Sequence, residues 1–186
     1  MNGPDHSTVN CLIRLGKGKN GVIYGLRAPG QNRAAAMMFL FDPNGAVTED
    51  PDKMEGFRGY VKNLGNYSYA NHQDAFDLEN FTHEFYQYGW RVGHYLTYPT
   101  IFHLYCYRWN PNTLILLDGK VKKTSAPWQE EYPEFVEGFY PIIGKIFAGI
   151  HEGDFEEREG VGGFFDKNGE FLPTVPLIRD AKQMSV

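Results

Sequence analysis

Cysteine is scarce in this chain. Cys11 and Cys106 are its two cysteines, too few for a disulfide scaffold, and they read as reduced, half-buried thiols of a cytosolic protein. Long apolar runs are missing as well. No stretch of about 18 apolar residues occurs, which excludes a membrane-spanning helix. Positive charge is in deficit, with 18 Lys and Arg against 23 Asp and Glu. That balance argues against a dedicated nucleic-acid binder, which needs a basic footprint. The opening residues MNGPDHSTVN lack the apolar centre of a signal peptide. The expected location is the cytoplasm, with no Sec-type export. His72, His83, His94 and His103 are widely spaced, and no H-x-x-x-H or C-x-x-C pair occurs, so a structural zinc site is not expected. Internal repeats, linkers and low-complexity tracts are also lacking.

What is present is aromatic and glycine-rich: 12 Tyr, 14 Phe and 21 Gly in 186 residues. Hydrophobic residues make up 42%, enough for one domain with a buried core. Charge is uneven. Residues 91–123 carry Arg91, Arg108, Lys120, Lys122 and Lys123 against Asp118 alone. Residues 124–186 carry 5 basic and 12 acidic side chains. Such an acidic third is a solvated face or a holder of divalent cations.

Pattern and punctuation predict an α+β order. Val9–Leu15 and Val22–Leu26 read as strands joined by the GKGKNG turn, and the short apolar run Ala34–Phe41 reads as a third. Residues 42–72, rich in Asp, Pro, Gly and Asn, leave room for a short helix near 52–64. Asp74–Tyr88 places Leu78, Phe81, Phe85 and Tyr88 at helical spacing behind Asp74 as N-cap. Ile101–Trp109 and Thr113–Leu117 read as strands across an Asn110-Pro111-Asn112 turn, and 118–132 as a polar connection. Val136 to Ile150 marks an apolar helical face, with Pro141 expected to kink it or to divide it into two helices in tandem. Gly162–Phe165 and Glu170–Leu172 read as a hairpin around an Asn168-Gly169 turn, and Val175–Ile178 as a tail strand. The expectation is a five-stranded antiparallel sheet with one helix, followed by a reduced helical portion.

Gly16-x-Gly18-x-x-Gly21 lies between two expected strands, with Ile23 two residues on. A dinucleotide fold needs a helix after its glycines; here a strand follows, the order of the protein-kinase loop G-x-G-x-x-G-x-V. From Val9 to about Asp180 the chain resembles a minimal protein-kinase fold, similar to small effector kinases of bacterial type III secretion and to phage kinases. The resemblance implies a single domain over 1–186, with an N-lobe over 9–118 and a reduced C-lobe over 119–186. It implies ATP and Mg²⁺ as ligands, with Gly16, Lys17, Gly18, Lys19, Gly21 and Ile23 over the phosphates. Leu116, Leu117 and Asp118 would form the hinge that holds adenine. Glu84, with Glu79 as alternative, falls in the place of the helix glutamate. Asp154, in His151-Glu152-Gly153-Asp154, falls in the place of the catalytic base, and Asp180 and Glu159 in the places of the metal ligands. The implied activity is phosphoryl transfer to a protein hydroxyl, by an effector acting on a host protein such as a chaperone. Such an effector enters the host cell without a cleaved signal.

The chain departs from that pattern at one decisive position. The strand-three lysine slot falls on Ala36 or Met37 in Arg33-Ala34-Ala35-Ala36-Met37-Met38, and neither side chain can pair with phosphates. A natural pseudokinase, a lysine supplied from elsewhere and an engineered Lys→Ala replacement at position 36 all remain open. Ala181-Lys182 also replaces the Phe-Gly that follows the metal-binding aspartate.

Two other classes compete. Leu104-Tyr105-Cys106-Tyr107-Arg108 and Leu114–Thr124, ending in Lys122-Lys123-Thr124, resemble the late strands and basic tail of RelE/HigB-like ribonuclease toxins, over some 25 residues. An acidic, aromatic chain with an incomplete site also fits a non-catalytic, immunity-type binding protein.

Overall fold

The computed structural model describes residues 8–42, 49–66, 76–77, 92–96, 102–121 and 138–180. Its centre is a sheet of seven strands in the order β3-β4-β5-β6-β2-β1-β9. In chain order these strands are β1 (Cys11–Lys17), β2 (Val22–Arg27), β3 (Phe76–Asp77), β4 (Val92–Leu96), β5 (Phe102–Asn110), β6 (Thr113–Val121) and β9 (Thr174–Pro176). A separate pair is formed by β7 (Glu156–Arg158) and β8 (Val161–Phe165). Among the described residues the helices are α1 (Ala35–Phe41), α2 (Pro51–Asn63) and α3 (Phe139–His151), with a 3₁₀ turn at Leu64–Asn66 after α2.

The α+β class is as expected, and the wholly antiparallel sheet is not. β2 and β6 run parallel, pairing Val22 with Thr113 and Gly25 with Leu116. Parallel neighbours need a long crossover, and the chain between β2 and β6 supplies it. The expected third strand, Ala34–Phe41, is helix α1 instead. Ala, Met and Leu are strong helix formers, and Ala36 and Leu40, four apart, turn one buried face to the sheet. Its apolar length fitted a strand, and its composition fitted a helix. The short helix near 52–64 is the full α2. Asp50 caps it by accepting the Lys53 N–H at 3.1 Å, Pro51 opens it, and Met54, Phe57 and Val61 form its buried stripe.

The helix expected over 74–88 has two described residues, Phe76 and Asp77, and they form strand β3. The rest of that stretch, Glu79 and Glu84 included, lies outside the described residues. Thr113–Leu117 extends to Val121, so the polar connection begins later than expected. Pro141 sits third in α3 and breaks nothing, because the first four helical N–H groups have no intrahelical partner anyway. The expected C-terminal hairpin closes through one bridge, Phe165 with Phe171, around Gly169 at φ 82°. β8 itself pairs with β7, and the tail strand pairs with β1.

Strand alternation gives the sheet two apolar faces. On one, Tyr24, Tyr105, Tyr107, Trp109, Ile115 and Leu117 pack against Ile142, Ile143 and Ile146 of α3, Phe164 of β8 and Val175 of β9. On the other, Ile23, Leu104, Cys106, Leu114 and Leu116 pack against Ala36 and Leu40 of α1 and Met54, Phe57 and Val61 of α2. The expected lobe division at 118/119 falls inside β6, and the first core draws on residues from both sides of it. Among the described residues, no helix is long and apolar enough to cross a membrane.

Candidate functional site

The glycine-rich turn between β1 and β2 is held by backbone. Gly18 N–H donates to Gly21 O at 2.9 Å, and the N–H groups of Asn20 and Gly21 donate to Gly65 O at 3.3 and 3.1 Å. The Asn20 side chain donates to Asn66 O at 2.9 Å, and Asn112 Nδ2 donates to Asn20 O at 2.6 Å. Gly18 and Gly21, two of the residues expected over the phosphates, therefore spend their amides on carbonyls, as does Asn20 between them. The close approach also explains Gly18. A Cβ there would lie 2.0 Å from Gly65 O, closer than any side chain tolerates. Gly16, by contrast, sits beside a bulge in β1, and a Cβ there meets nothing within 4 Å among the described residues.

Between this turn and the helices α1 and α2 lies a cleft of about 640 Å³. Its apolar wall includes Ile23, Leu40, Val61 and Leu116. Arg58 and Lys62 from α2 bring positive charge to it, and Glu55 brings negative. Gly16, Lys17 and Gly18 close the turn side. The Lys17 ammonium lies 5.8 Å from the centroid of the Phe171 ring, which stacks on Tyr24 of the opposite core. Arg58 is the better-placed cation. Its Nε donates to Leu40 O at 2.7 Å, Nη1 lies 3.1 Å from Glu55 Oε2, and its guanidinium stands 4.7 Å over the Phe41 ring. A second, smaller cleft of about 270 Å³ takes in Lys17, Lys19, Asn20, Gly21, Asn112 and Gly162.

The expected site residues thus fall into separate groups. Gly16, Lys17, Gly18, Ile23 and Leu116 line the larger cleft, and Lys19 and Gly21 the smaller one. Leu117 points to the opposite core, since neighbours along a strand face opposite ways. Asp118 accepts the Gly119 N–H at 2.7 Å, and burial pushes its carboxyl above the usual range. Ala36 is buried in α1, so the strand-three lysine slot has no strand to stand on.

Asp154 follows α3, the helix on the other face of the sheet. Its Oδ2 and Oδ1 accept from Arg179 Nε and Nη2 at 2.6 and 2.7 Å, which holds its carboxyl below the usual range. Glu159 is exposed in the β7–β8 turn, and Asp180 is exposed beside Arg179. Asp154, in the place of the catalytic base, thus has both carboxylate oxygens engaged by Arg179. Among the described residues, no group of three or more His, Cys, Asp or Glu side chains converges on a point. For a nucleotide, the donor set does fit in part: an apolar slot with a fixed guanidinium beside it.

Sequence reasoning missed Glu55, Arg58 and Lys62 because it treated 42–72 as mainly connecting chain. The signal was legible. Asp50-Pro51 is a helix start, and Met54, Phe57 and Val61 recur at helical spacing. Glu55, Arg58 and Lys62 then share the adjoining stripe. Comparison of the chain with protein-family models, with curated proteins and with solved structures finds no match.

Proposed function

We propose that this protein binds a nucleotide, with ATP as the first candidate, in the cleft between the Gly16–Gly21 turn and helices α1 and α2. One observation carries the reading. Five residues singled out for nucleotide contact, Gly16, Lys17, Gly18, Ile23 and Leu116, line one cleft of about 640 Å³ together with Arg58 and Lys62. Such a space suits a small organic ligand, and its apolar wall suits a flat ring. The guanidinium suits phosphate oxygens, which it can grip with two parallel N–H groups.

The fuller reading, an effector kinase that uses Mg²⁺ to phosphorylate a host protein, asks for more. It needs a metal pair, a base and a phosphate-binding lysine. The placement of Asp154, Glu159, Asp180 and Ala36 lends support to none of the three. Binding without transfer is the pseudokinase form of the same expectation. The experiment is a calorimetric titration with ATP and ADP, each with and without Mg²⁺, followed by a phosphate-transfer assay on a generic protein substrate. Saturable ATP binding without transfer supports this reading. Absence of any nucleotide binding removes it and leaves the immunity-type binding protein.

A second reading has one observation in its favour. β4, β5 and β6 form a consecutive antiparallel run, and β5 and β6 carry the residues that resemble a RelE/HigB-like ribonuclease toxin. β6 leads into Lys122-Lys123-Thr124, which lies outside the described residues. Cleavage of messenger RNA on ribosomes by the purified protein, and its loss in a Lys122→Ala/Lys123→Ala variant, would establish the toxin reading over the first.

A further inference from the structure

A nucleotide in the larger cleft needs a group there that recognises phosphate. The glycine pattern points to Lys17 and Lys19 for that task. The Lys17 ammonium is drawn to Phe171, however, and Lys19 borders the smaller cleft alone. We propose that Arg58 is the anion anchor of the larger cleft, and that Glu55 is a resident competitor which the ligand's anionic group displaces. The proposal rests on the nucleotide reading and adds to it the specificity-determining pair.

Arg58 is fixed before any ligand arrives. Its Nε is bonded to Leu40 O, one residue from the C-terminal end of α1. The carbonyls there carry partial negative charge and favour a cation. The Phe41 ring stands against the guanidinium, a cation–π contact that also limits its rotation. Arginine has five N–H donors in a rigid fork. Leu40 O takes one and Glu55 takes one, and these are the hydrogen bonds Arg58 makes among the described residues. The remaining N–H groups are available to a second acceptor. A side chain already ordered loses little entropy on binding, so more of its interaction appears as affinity.

Glu55 differs from its partner. Its side chain is 77% exposed, against 22% for Arg58. It sits one helical turn before Arg58 on α2, where such pairs form readily. An exposed carboxylate bonded to a guanidinium is held weakly. A phosphate group brings more charge and more acceptor oxygens to the same fork. The exchange costs Glu55 little, because water receives it. The pair thus offsets the charge of Arg58 while the cleft is empty, and an anionic ligand takes over that task from Glu55. Lys62 lies on the same side of α2, one turn beyond Arg58, and adds field without geometry.

The test compares ATP, AMP and uncharged adenosine on four proteins by calorimetry. Glu55→Gln removes the competitor and keeps the shape. It should bind ATP and AMP about two- to fivefold more tightly, the span expected for losing an exposed ion pair. Its adenosine affinity should not change. Arg58→Met keeps the aliphatic stem and should lose ATP affinity at least about tenfold, again with adenosine unchanged. Arg58→Lys keeps the charge without the fork and should fall between Arg58→Met and wild type, which covers any misfolding of the Met variant. A purely structural role for Arg58 would lower ATP and adenosine affinity alike, and that result overturns the proposal. Unchanged or weaker ATP binding by Glu55→Gln overturns it too, while the nucleotide reading stands. If the wild type binds neither ATP nor AMP, both fall together.

Discussion

Replacing Gly18 by alanine should damage this protein far more than replacing Gly16, although both belong to the same glycine pattern. A Cβ on Gly18 would sit 2.0 Å from Gly65 O and 2.6 Å from Asn66 N. Both are backbone atoms and cannot swing aside. The turn must therefore move off the 3₁₀ segment at Leu64–Asn66. That separation breaks the bonds from Asn20 and Gly21 N–H to Gly65 O. Each such bond is worth about 0.5–1.5 kcal/mol net, and overpacking strain adds about 1–3 kcal/mol. Gly18→Ala should thus cost about 2–6 kcal/mol, which for a chain of this size lowers the melting temperature by on the order of 10 °C. A Cβ on Gly16 meets nothing within 4 Å among the described residues, so Gly16→Ala should stay within about 0.5–1 kcal/mol of wild type. Urea unfolding followed by circular dichroism gives both numbers directly. Equal costs at the two positions would refute the packing account of this loop. They would return the glycines to a role over a bound phosphate, where loss of stability is not required.

Further expectations follow from single contacts. Tyr24 Oη donates to Leu172 O at 2.7 Å and accepts from Phe164 N–H at 3.2 Å. Tyr24→Phe leaves the buried Phe164 N–H and the half-buried Leu172 carbonyl without this partner and should cost about 1–3 kcal/mol in urea unfolding. Burial also pushes the Tyr24 phenol up, from 10.0 to about 12, against the opposing Phe164 hydrogen bond. A group raised on folding supports the fold fully below its unfolded value. Stability should therefore fall across pH 10 to 12, with a shallower fall in Tyr24→Phe. Asp154 is shifted the other way by Arg179. Its contribution holds above the ordinary aspartate value and fades as pH drops through the lowered one. It should also shrink in 1 M salt, and Asp154→Asn should abolish both dependences in thermal melts. Trp109 Nε1 donates to Glu157 at 2.6 Å and the ring packs 4.8 Å from Phe147. Trp109→Phe should lose about 1–3 kcal/mol, read by chemical unfolding.

The sequence is most legible where pattern and propensity agree. β1, β2, β5, β6 and α3 lie within a few residues of their expected bounds, because alternation or helical spacing coincides there with clear turn signals. Ala35–Phe41 shows the limit. A run of seven apolar residues has no polar face to reveal its period, and propensity was the only local guide. The parallel pairing of β2 with β6 was illegible for a different reason. It joins residues far apart in the chain, and no local preference encodes a partner. The site divides in the same way. The turn residues could be read from the glycine spacing. Their use of Gly65 as acceptor could not, since it depends on where α2 ends. Leu116 and Leu117 read as one hinge, yet the two-residue strand period sends them to opposite faces of the sheet.

Gly59 offers the most direct test of the binding cleft. It lies exposed in the middle of α2, borders the cleft, and a Cβ there meets nothing within 4 Å among the described residues. Substitution removes a helix-weakening glycine, so Gly59→Ala should gain up to about 1 kcal/mol of stability. Gly59→Trp, of similar or slightly higher stability than wild type, should project an indole into the cleft. Calorimetric titration of ATP into wild type and Gly59→Trp should then give saturable binding in the first and none in the second, with both melting cooperatively. Equal ATP affinity in the two folded proteins would contradict the assignment of the ligand to this cleft.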